Sequence, residues 1–286
     1  MKDHPDSEQL LSPIYNSDEV YVRSTQVQRT IQSANAQLLG LYPLGTAEFL
    51  KPEQIQNSIP HINISDKEEI LELLGIDAIQ RGFQPVPVHN FNLNVDSLIA
   101  YGGCPFIVND YLRRAKDPQI WQKLDDYYRP LIFNQIAAAF NLSSEDLKFI
   151  DIYQYTDVLF AEDFEGIQTR YNFTEEEWDI VLEIQIPLLI QLLSDVSNQI
   201  ISLRYIFPII ELMKAKIGLD YNQTLVQVFG DPKFVLFSSH DYQMAHILKF
   251  LQPNNYDLHH IEYASIILFE LHRKEIRACL SSKSEN

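Results

Sequence analysis

"KFVLFSSHDYQMAHILKFL", residues 233–251, decides the fold class of this chain. A short apolar run with β-branched and aromatic residues ends at two serines, which is typical of a buried strand. After His240 and Asp241 the apolar residues return at helical spacing, so the sequence predicts a helix directly behind the strand. The predicted apolar face of that helix holds Met244, Ile247, Leu248 and Leu251.

A second strand followed by a helix lies near the start of the chain. "EVYVRS", residues 19–24, alternates as a half-buried strand does, and the helix after it ends near Pro43. A third apolar run, "SIILFEL" at 265–271, also has the composition of a strand. Repetition of strand and helix is the sequence sign of an α/β layer. The predicted apolar face of the first helix holds Ile31, Ala34, Leu38 and Leu41.

The middle of the chain is predicted to be helical. Thr174 and Glu177 form a capping box ahead of a long apolar stripe, which Pro187 and Pro208 should kink or break. The sequence therefore predicts a helical insertion between two parts of one α/β domain. The expected domains are an α/β core formed by 1–99 and 221–286 and a helical cap formed by 100–220.

Composition excludes some functions. The 286 residues are 46% hydrophobic, enough for one large domain or two smaller ones, and the formal net charge is −17. Such an acidic chain lacks the basic face that a nucleic-acid partner requires, although a local group of arginines can still bind a small anion. Polar residues and prolines interrupt each apolar stretch, so no membrane span is expected. The sequence leaves the oligomeric state open.

Signals of compartment and cofactor are few. Cys104 and Cys279 alone give neither a disulfide framework nor a zinc spacing, and no metal or cofactor is expected. The first residues are polar and acidic, unlike a signal peptide, whereas four glycosylation sequons weakly favour a lumenal or secreted compartment. The sequons lie at Asn63, Asn141, Asn172 and Asn222.

Three side chains are predicted to lie where an α/β fold binds anions. Arg23 ends the first predicted strand, and His240 and Asp241 follow the second. Ligands of open α/β sheets lie beyond the carboxyl ends of strands, where helix N-termini present free N–H groups. A phosphate site is one interpretation. The other is an ordinary helix N-cap at His240-Asp241, because aspartate is a favoured capping residue.

Four stretches resemble, in order, segments of the histidine acid phosphatases. "VYVRSTQVQRTIQSANAQLLGLYP" is similar to their Arg-Ser-Thr segment, and "FQPVPVHNFNLNVDSLIAY" with the Cys-Pro after it to their Pro-x-Pro-x-His stretch. "KFVLFSSHDYQMAHILKFLQ" resembles their His-Asp segment, and "YASIILFELHRKE" their closing strand. The resemblance implies a three-layer α/β core with a mixed, mostly parallel sheet, plus an inserted helical cap. It also implies a secreted or lysosomal compartment.

The resemblance also implies roles for the three residues. In the family a histidine of an Arg-His-Gly-x-Arg-x-Pro motif attacks phosphorus, so the expected substrate is a small phosphomonoester or inorganic phosphate. Carried over, Arg23 and His240 are phosphate ligands, and Asp241 is the catalytic proton donor. Such a site makes physical sense, since a transferring phosphoryl group needs positive charge on its oxygens and a poor leaving group needs a proton.

The nucleophile motif of that family is absent from these residues. None of the eight histidines is followed by glycine, and only 22 residues precede Arg23. The first strand of the sheet is therefore expected to be missing, and the chain is expected to be a truncated or inactive phosphatase. Two alternatives stay open: a pseudoenzyme that binds phosphorylated ligands without turnover, and an unrelated helical interaction protein.

Several other residues receive structural interpretations. Arg29 is expected to form a structural ion pair, and His89 either lines the pocket or is structural. His246, His259 and His260 show no metal-ligand spacing and are expected to be exposed to solvent. Cys104 resembles a cysteine of a family disulfide, and Cys279 is a candidate replacement partner.

Overall fold

The computed structural model describes residues 10–57, 65–76, 79–96, 103–167, 170–254, 258 and 260–272. Within these residues the chain is a mixed α/β protein in which helices dominate and the sheet is small and parallel. Cys279 and His259, two residues with an expected role or environment, lie outside the described residues.

Two predicted strands form and pair with each other. Strand β1 spans Val20–Ser24 and strand β2 spans Phe234–Ser238, and they pair in parallel with Arg23 opposite Phe237. Alternate residues of β1 are buried, as the sequence pattern predicts. On the other side of β1 the backbone of His89 forms a parallel bridge with Arg23, so β1 has neighbours on both sides.

Twelve α-helices are found in the described part of the chain. Helix α1 follows β1 and helix α12 follows β2, which confirms both predicted strand–helix units. Their bounds are α1 Gln28–Leu41, α2 Pro52–Asn57, α3 Lys67–Leu74, α4 Pro105–Ala115, α5 Pro118–Tyr128, α6 Asn134–Ala139, α7 Phe149–Phe164, α8 Glu175–Glu183, α9 Gln185–Gln191, α10 Asp195–Lys216, α11 Gln223–Phe229 and α12 Asp241–Leu251. A 3₁₀ turn at Gln80–Gly82 and a π-helical turn at Arg129–Phe133 complete the set.

The helical stretch between α4 and α10 has its own apolar core. Phe133, Phe149 and Ile152 are buried at its centre, and Thr174 and Glu177 form the predicted capping box at the start of α8. Reciprocal bonds of this kind satisfy two backbone donors that a helix start leaves free.

The two prolines behave differently from each other. Pro187 lies in the first turn of α9, just after a helix break, where a missing N–H removes no intrahelical bond. Pro208 lies inside α10, and the expected break there is wrong, since the helix is continuous from Asp195 to Lys216. An interior proline costs roughly 3 kcal/mol. Burial of Tyr205 and Ile206 on the preceding turn offsets that cost.

The third predicted strand does not form. Residues 265–271 carry no strand pairing, and Ile266 and Leu268 are 57% and 65% exposed. A strand needs a neighbour to accept its backbone hydrogen bonds, and an apolar run in the sequence does not reveal whether that neighbour is present. Only Ile267 of the run packs against the buried cluster of Tyr205, Ile206 and Ile247.

The buried faces of α1 and α12 include some of the predicted residues, Ala34, Leu38 and Ile247, but also residues beside the predicted face. In α1 the buried residues are Thr30, Ala34 and Leu38, whereas Leu41 is exposed. In α12 they are Gln243, Ala245, His246 and Ile247, because α10 packs against this side of the helix.

His246 is therefore a core residue, and the expectation that it is exposed is wrong. Its side chain is 1% exposed, and its backbone carbonyl accepts a bond of 2.8 Å from the hydroxyl of Ser202 on α10. Nδ1 of His246 has no hydrogen-bond partner among the described residues. Burial, followed by the charge of Lys249, lowers the pKa of His246 from 6.5 to about 4.

Among the described residues no single helix is both long and apolar enough to cross a membrane. The pair Glu175–Gln191 and Asp195–Lys216, bent by 95°, meets the requirements of length and composition jointly.

The buried imidazole predicts acid sensitivity. Below a pH of about 6.5 the unfolded chain protonates His246, but the folded chain does so only near pH 4, so stability is lost as the pH falls through this window. The contribution of His246 to the slope should approach roughly 1.4 kcal/mol per pH unit. His246→Leu should flatten the slope in urea-unfolding series between pH 7 and 4, whereas the exposed His272→Leu should not. Equal slopes in the wild type and the His246→Leu variant would contradict the prediction.

Candidate functional site

The two strand–helix junctions meet at one edge of the sheet. Because β1 and β2 are parallel, both strands end on the same side, and α1 and α12 both begin there. Beyond the strand ends, the N–H of Thr25 donates to the carbonyl of Ser238 at 3.3 Å. This pairing places Arg23 and His240 at the same edge of the sheet although they are far apart in the sequence.

Arg23 is held at this edge by a buried carboxylate and an aromatic ring. Nη2 of Arg23 lies 2.6 Å from Oδ1 of Asp96, and the two side chains are 13% and 0% exposed. The guanidinium also lies over the ring of Phe91, 4.4 Å from its centroid. These contacts fix the position of a positive charge at the carboxyl end of β1.

His240 is the N-cap residue of α12 and is 7% exposed. Its ring stacks on Tyr242 with a centroid distance of 5.0 Å. Nε2 lies 3.2 Å from the hydroxyl of Thr25, and Nδ1 lies 3.3 Å from Nη2 of Arg29. Burial and then the charge of Arg29 lower the pKa of His240 to about 4.

Asp241 is the first residue of α12, and its side chain is partly exposed at the same edge. Its Oδ1 accepts a bond of 2.9 Å from the N–H of Tyr242. The N-cap position belongs to His240, whose ring makes no capping bond, so the interpretation of this dipeptide as a simple N-cap does not describe it fully.

Helix α7 approaches this edge from the helical part of the chain. Burial, and then the charge of Asp241, raise the pKa of Asp157 on α7. Burial likewise raises the pKa of Tyr153, one turn earlier, and Asp241 and Arg29 both act on it electrostatically. The site therefore has contributions from both parts of the fold.

Two residues with structural interpretations differ in outcome. Arg29 contacts the ring of His240, whereas the sequence predicted an ion pair. His89 stacks on Tyr21 at a centroid distance of 5.0 Å and bridges β1 through its backbone, which supports the structural interpretation.

Two contributing residues were missed by sequence reasoning, Asp96 and Thr25. A signal for Asp96 existed, because it is the only acidic residue in the stretch 83–101. Thr25 gave no signal, since a hydroxyl next to a strand end is common and its partner is 215 residues away.

Comparison with known proteins identifies the family of the chain. The sequence profile of the histidine phosphatase superfamily (branch 2) matches residues 2–286. Lysosomal acid phosphatase of Rattus norvegicus is 25% identical over 281 residues, which cover 93% of this chain and 54% of that protein. Prostatic acid phosphatase of Mus musculus is 25% identical over 274 residues, which cover 92% of this chain and 60% of that protein.

A shorter match has a higher identity. Testicular acid phosphatase of Homo sapiens is 56% identical over 36 residues, or 13% of this chain and 8% of that protein. The chain spans little more than half the length of the rat lysosomal enzyme. Because the profile match covers nearly the whole chain, the protein belongs to branch 2 of the histidine phosphatase superfamily.

Proposed function

We propose that this chain carries the phosphate-holding and proton-donating residues of an acid phosphatase site. Arg23 and His240 hold the phosphoryl oxygens of a small phosphomonoester or of inorganic phosphate, and Asp241 is the proton donor. The observation that carries the proposal is the meeting of these residues at the shared carboxyl edge of β1 and β2.

The positive charge for the phosphoryl group comes from Arg23. A guanidinium presents a planar fork of donors that matches phosphate oxygens and stays charged at every physiological pH. Asp96 and Phe91 hold this fork before a ligand arrives, so binding does not have to order the side chain. The N-terminus of α12 adds a favourable dipole at the same edge.

Asp241 supplies the proton that the leaving oxygen needs. An alkoxide is a poor leaving group, and proton transfer at the moment of bond cleavage lowers the barrier. Asp241 lies directly beside the phosphate-binding His240 and is partly open to solvent, so it can be reprotonated after each cycle.

These 286 residues contain no nucleophile of the family type. None of the eight histidines is followed by glycine, and His240, the one at the site, is engaged at both ring nitrogens. We infer that this chain alone does not form a phosphohistidine and does not turn over phosphate monoesters. The helical stretch, residues 100–220, then acts as a cap, which the approach of α7 to Asp241 supports.

The second candidate is a pseudoenzyme that binds phosphorylated ligands. It is favoured by the contacts around Arg23 and His240, which form among residues of this chain that do not include an Arg-His-Gly segment. A site held in this way can bind an anion whether or not a nucleophile is present.

Hydrolysis of an aryl phosphate distinguishes a chain without the nucleophile from an intact acid phosphatase. The 286-residue chain should hydrolyse an aryl phosphate at acid pH no faster than background, because removal of a covalent nucleophile costs many powers of ten in other enzymes. The measurement is release of the aryl alcohol, with Asp241→Asn and the exposed-site variant Asp151→Asn as controls. Turnover that Asp241→Asn abolishes and Asp151→Asn retains would show that another group acts as nucleophile.

The buried ion pair predicts an asymmetric effect on stability. Arg23→Met leaves the fully buried carboxylate of Asp96 without its cation, which should cost roughly 3–5 kcal/mol of unfolding free energy. Arg23→Met with Asp96→Asn should recover much of that loss, as measured by urea unfolding. Arg170→Met, which breaks the exposed pair with Glu162, should cost about 1 kcal/mol or less. Additive losses in the double variant would contradict the account of Arg23.

A further inference from the structure

We propose that Arg29 is a positioning residue for His240. The guanidinium of Arg29 donates to Nδ1 of His240 and thereby keeps the imidazole neutral, with its one proton on Nε2. Arg29 thereby joins the residues of the proposed site. Only its relevance to phosphate binding rests on the proposed function. Its structural basis is independent of any ligand.

The contact between Arg29 and His240 fixes the direction of the hydrogen bond. Nη2 of Arg29 lies 3.3 Å from Nδ1 of His240. A guanidinium has five N–H donors and no acceptor, so Nδ1 must offer its lone pair. A neutral imidazole that accepts at Nδ1 carries its proton on Nε2.

A chain of hydroxyl groups on the other side of the ring accommodates the same tautomer. When Thr30 donates from Oγ1 to the carbonyl of Val27 at 2.8 Å, its oxygen accepts from the hydroxyls of Ser24 and Thr25, at 3.0 and 2.6 Å. With its proton used towards Thr30, the hydroxyl of Thr25 accepts from Nε2–H of His240 at 3.2 Å. Each of the three hydroxyls then donates its proton to one acceptor.

Burial of the ring also favours the neutral form. Three charged side chains surround the His240 ring: Arg29 on α1, Asp241 on α12 and Asp96 at the end of the stretch 79–96. Tyr242 covers one face of the ring. Burial and Arg29 lower the pKa of His240, and Asp241 and Asp96 oppose them. The balance leaves the pKa at about 4, well below the ordinary value of 6.5.

The consequence for phosphate binding is a donor that does not depend on pH. Above a pH of about 4 the ring keeps its single proton on Nε2, where Thr25 now accepts it. A phosphoryl oxygen that binds His240 therefore replaces Thr25 as the acceptor of the hydrogen bond from Nε2–H. Arg23 and Arg29 supply the positive charge, and His240 supplies a neutral N–H donor with a fixed orientation.

The test reads the tautomer directly. Long-range ¹H–¹⁵N correlation spectra of the imidazoles in the ¹⁵N-labelled 286-residue chain distinguish a protonated Nε2 from a protonated Nδ1, with His240→Gln to assign the signals. The wild type should show the Nε2–H form at pH 7 and at pH 5. Arg29→Met should introduce the Nδ1–H form and move the titration of His240 upward, towards 6.5. Arg29→Lys retains a cationic donor and should retain more of the wild-type behaviour.

Controls and contrary outcomes are defined by the same spectra. Arg29 is exposed at the start of α1, so its replacement should not unfold the chain, and Arg170→Met controls for loss of an exposed arginine elsewhere. A dominant Nδ1–H form in the wild type, or a His240 titration unchanged by Arg29→Met, overturns the proposal. The spectra are recorded without phosphate, so a chain that shows the Nε2–H form but binds no phosphate overturns the proposed function alone.

Discussion

The parallel pairing of β1 with β2 is the interaction on which the site depends. It places Arg23 opposite Phe237 and sets Thr25 against His240, two residues that are 215 positions apart in the sequence. Closing so long a loop costs entropy, although that cost grows only slowly with length. At the start of the pairing, Lys233 forms an ion pair with Glu19 at 2.7 Å, and at the end Thr25 donates to Ser238. Between these two contacts lie the buried valines Val20 and Val22.

In the proposed site, a strongly acidic chain holds an anion through two well-placed arginines at this edge. Arg23 is positioned by Asp96, and Arg29 acts through the ring of His240. A buried carboxylate beside an anion-binding arginine weakens its field, but it also removes the need to order the side chain on binding. The two residues have different roles towards the anion. Arg23 supplies the positive charge, and His240 supplies an oriented neutral hydrogen-bond donor.

Sequence reasoning found the parts of the fold that local patterns determine. Alternation in β1, the apolar run of β2 and the capping box at Thr174 were each legible from a few residues. It failed where a distant partner decides the outcome. The burial of His246 depends on α10, and the absence of a strand at 265–271 depends on a neighbour that an apolar run does not reveal. At the site, the positions of Arg23 and His240 followed from strand ends, whereas the roles of Asp96 and Arg29 required knowledge of which side chains meet.

A crystal structure of the chain with bound tungstate, a phosphate analogue, tests the central claim most directly. The account predicts one anion at the carboxyl edge of β1 and β2, within hydrogen-bond distance of the Arg23 guanidinium and of Nε2 of His240, with the Asp241 carboxyl beside it. Arg23 should keep its contact with Asp96 in that complex. An anion bound elsewhere on the chain, or an edge that stays empty at saturating tungstate with Arg23 and His240 in place, would contradict the account.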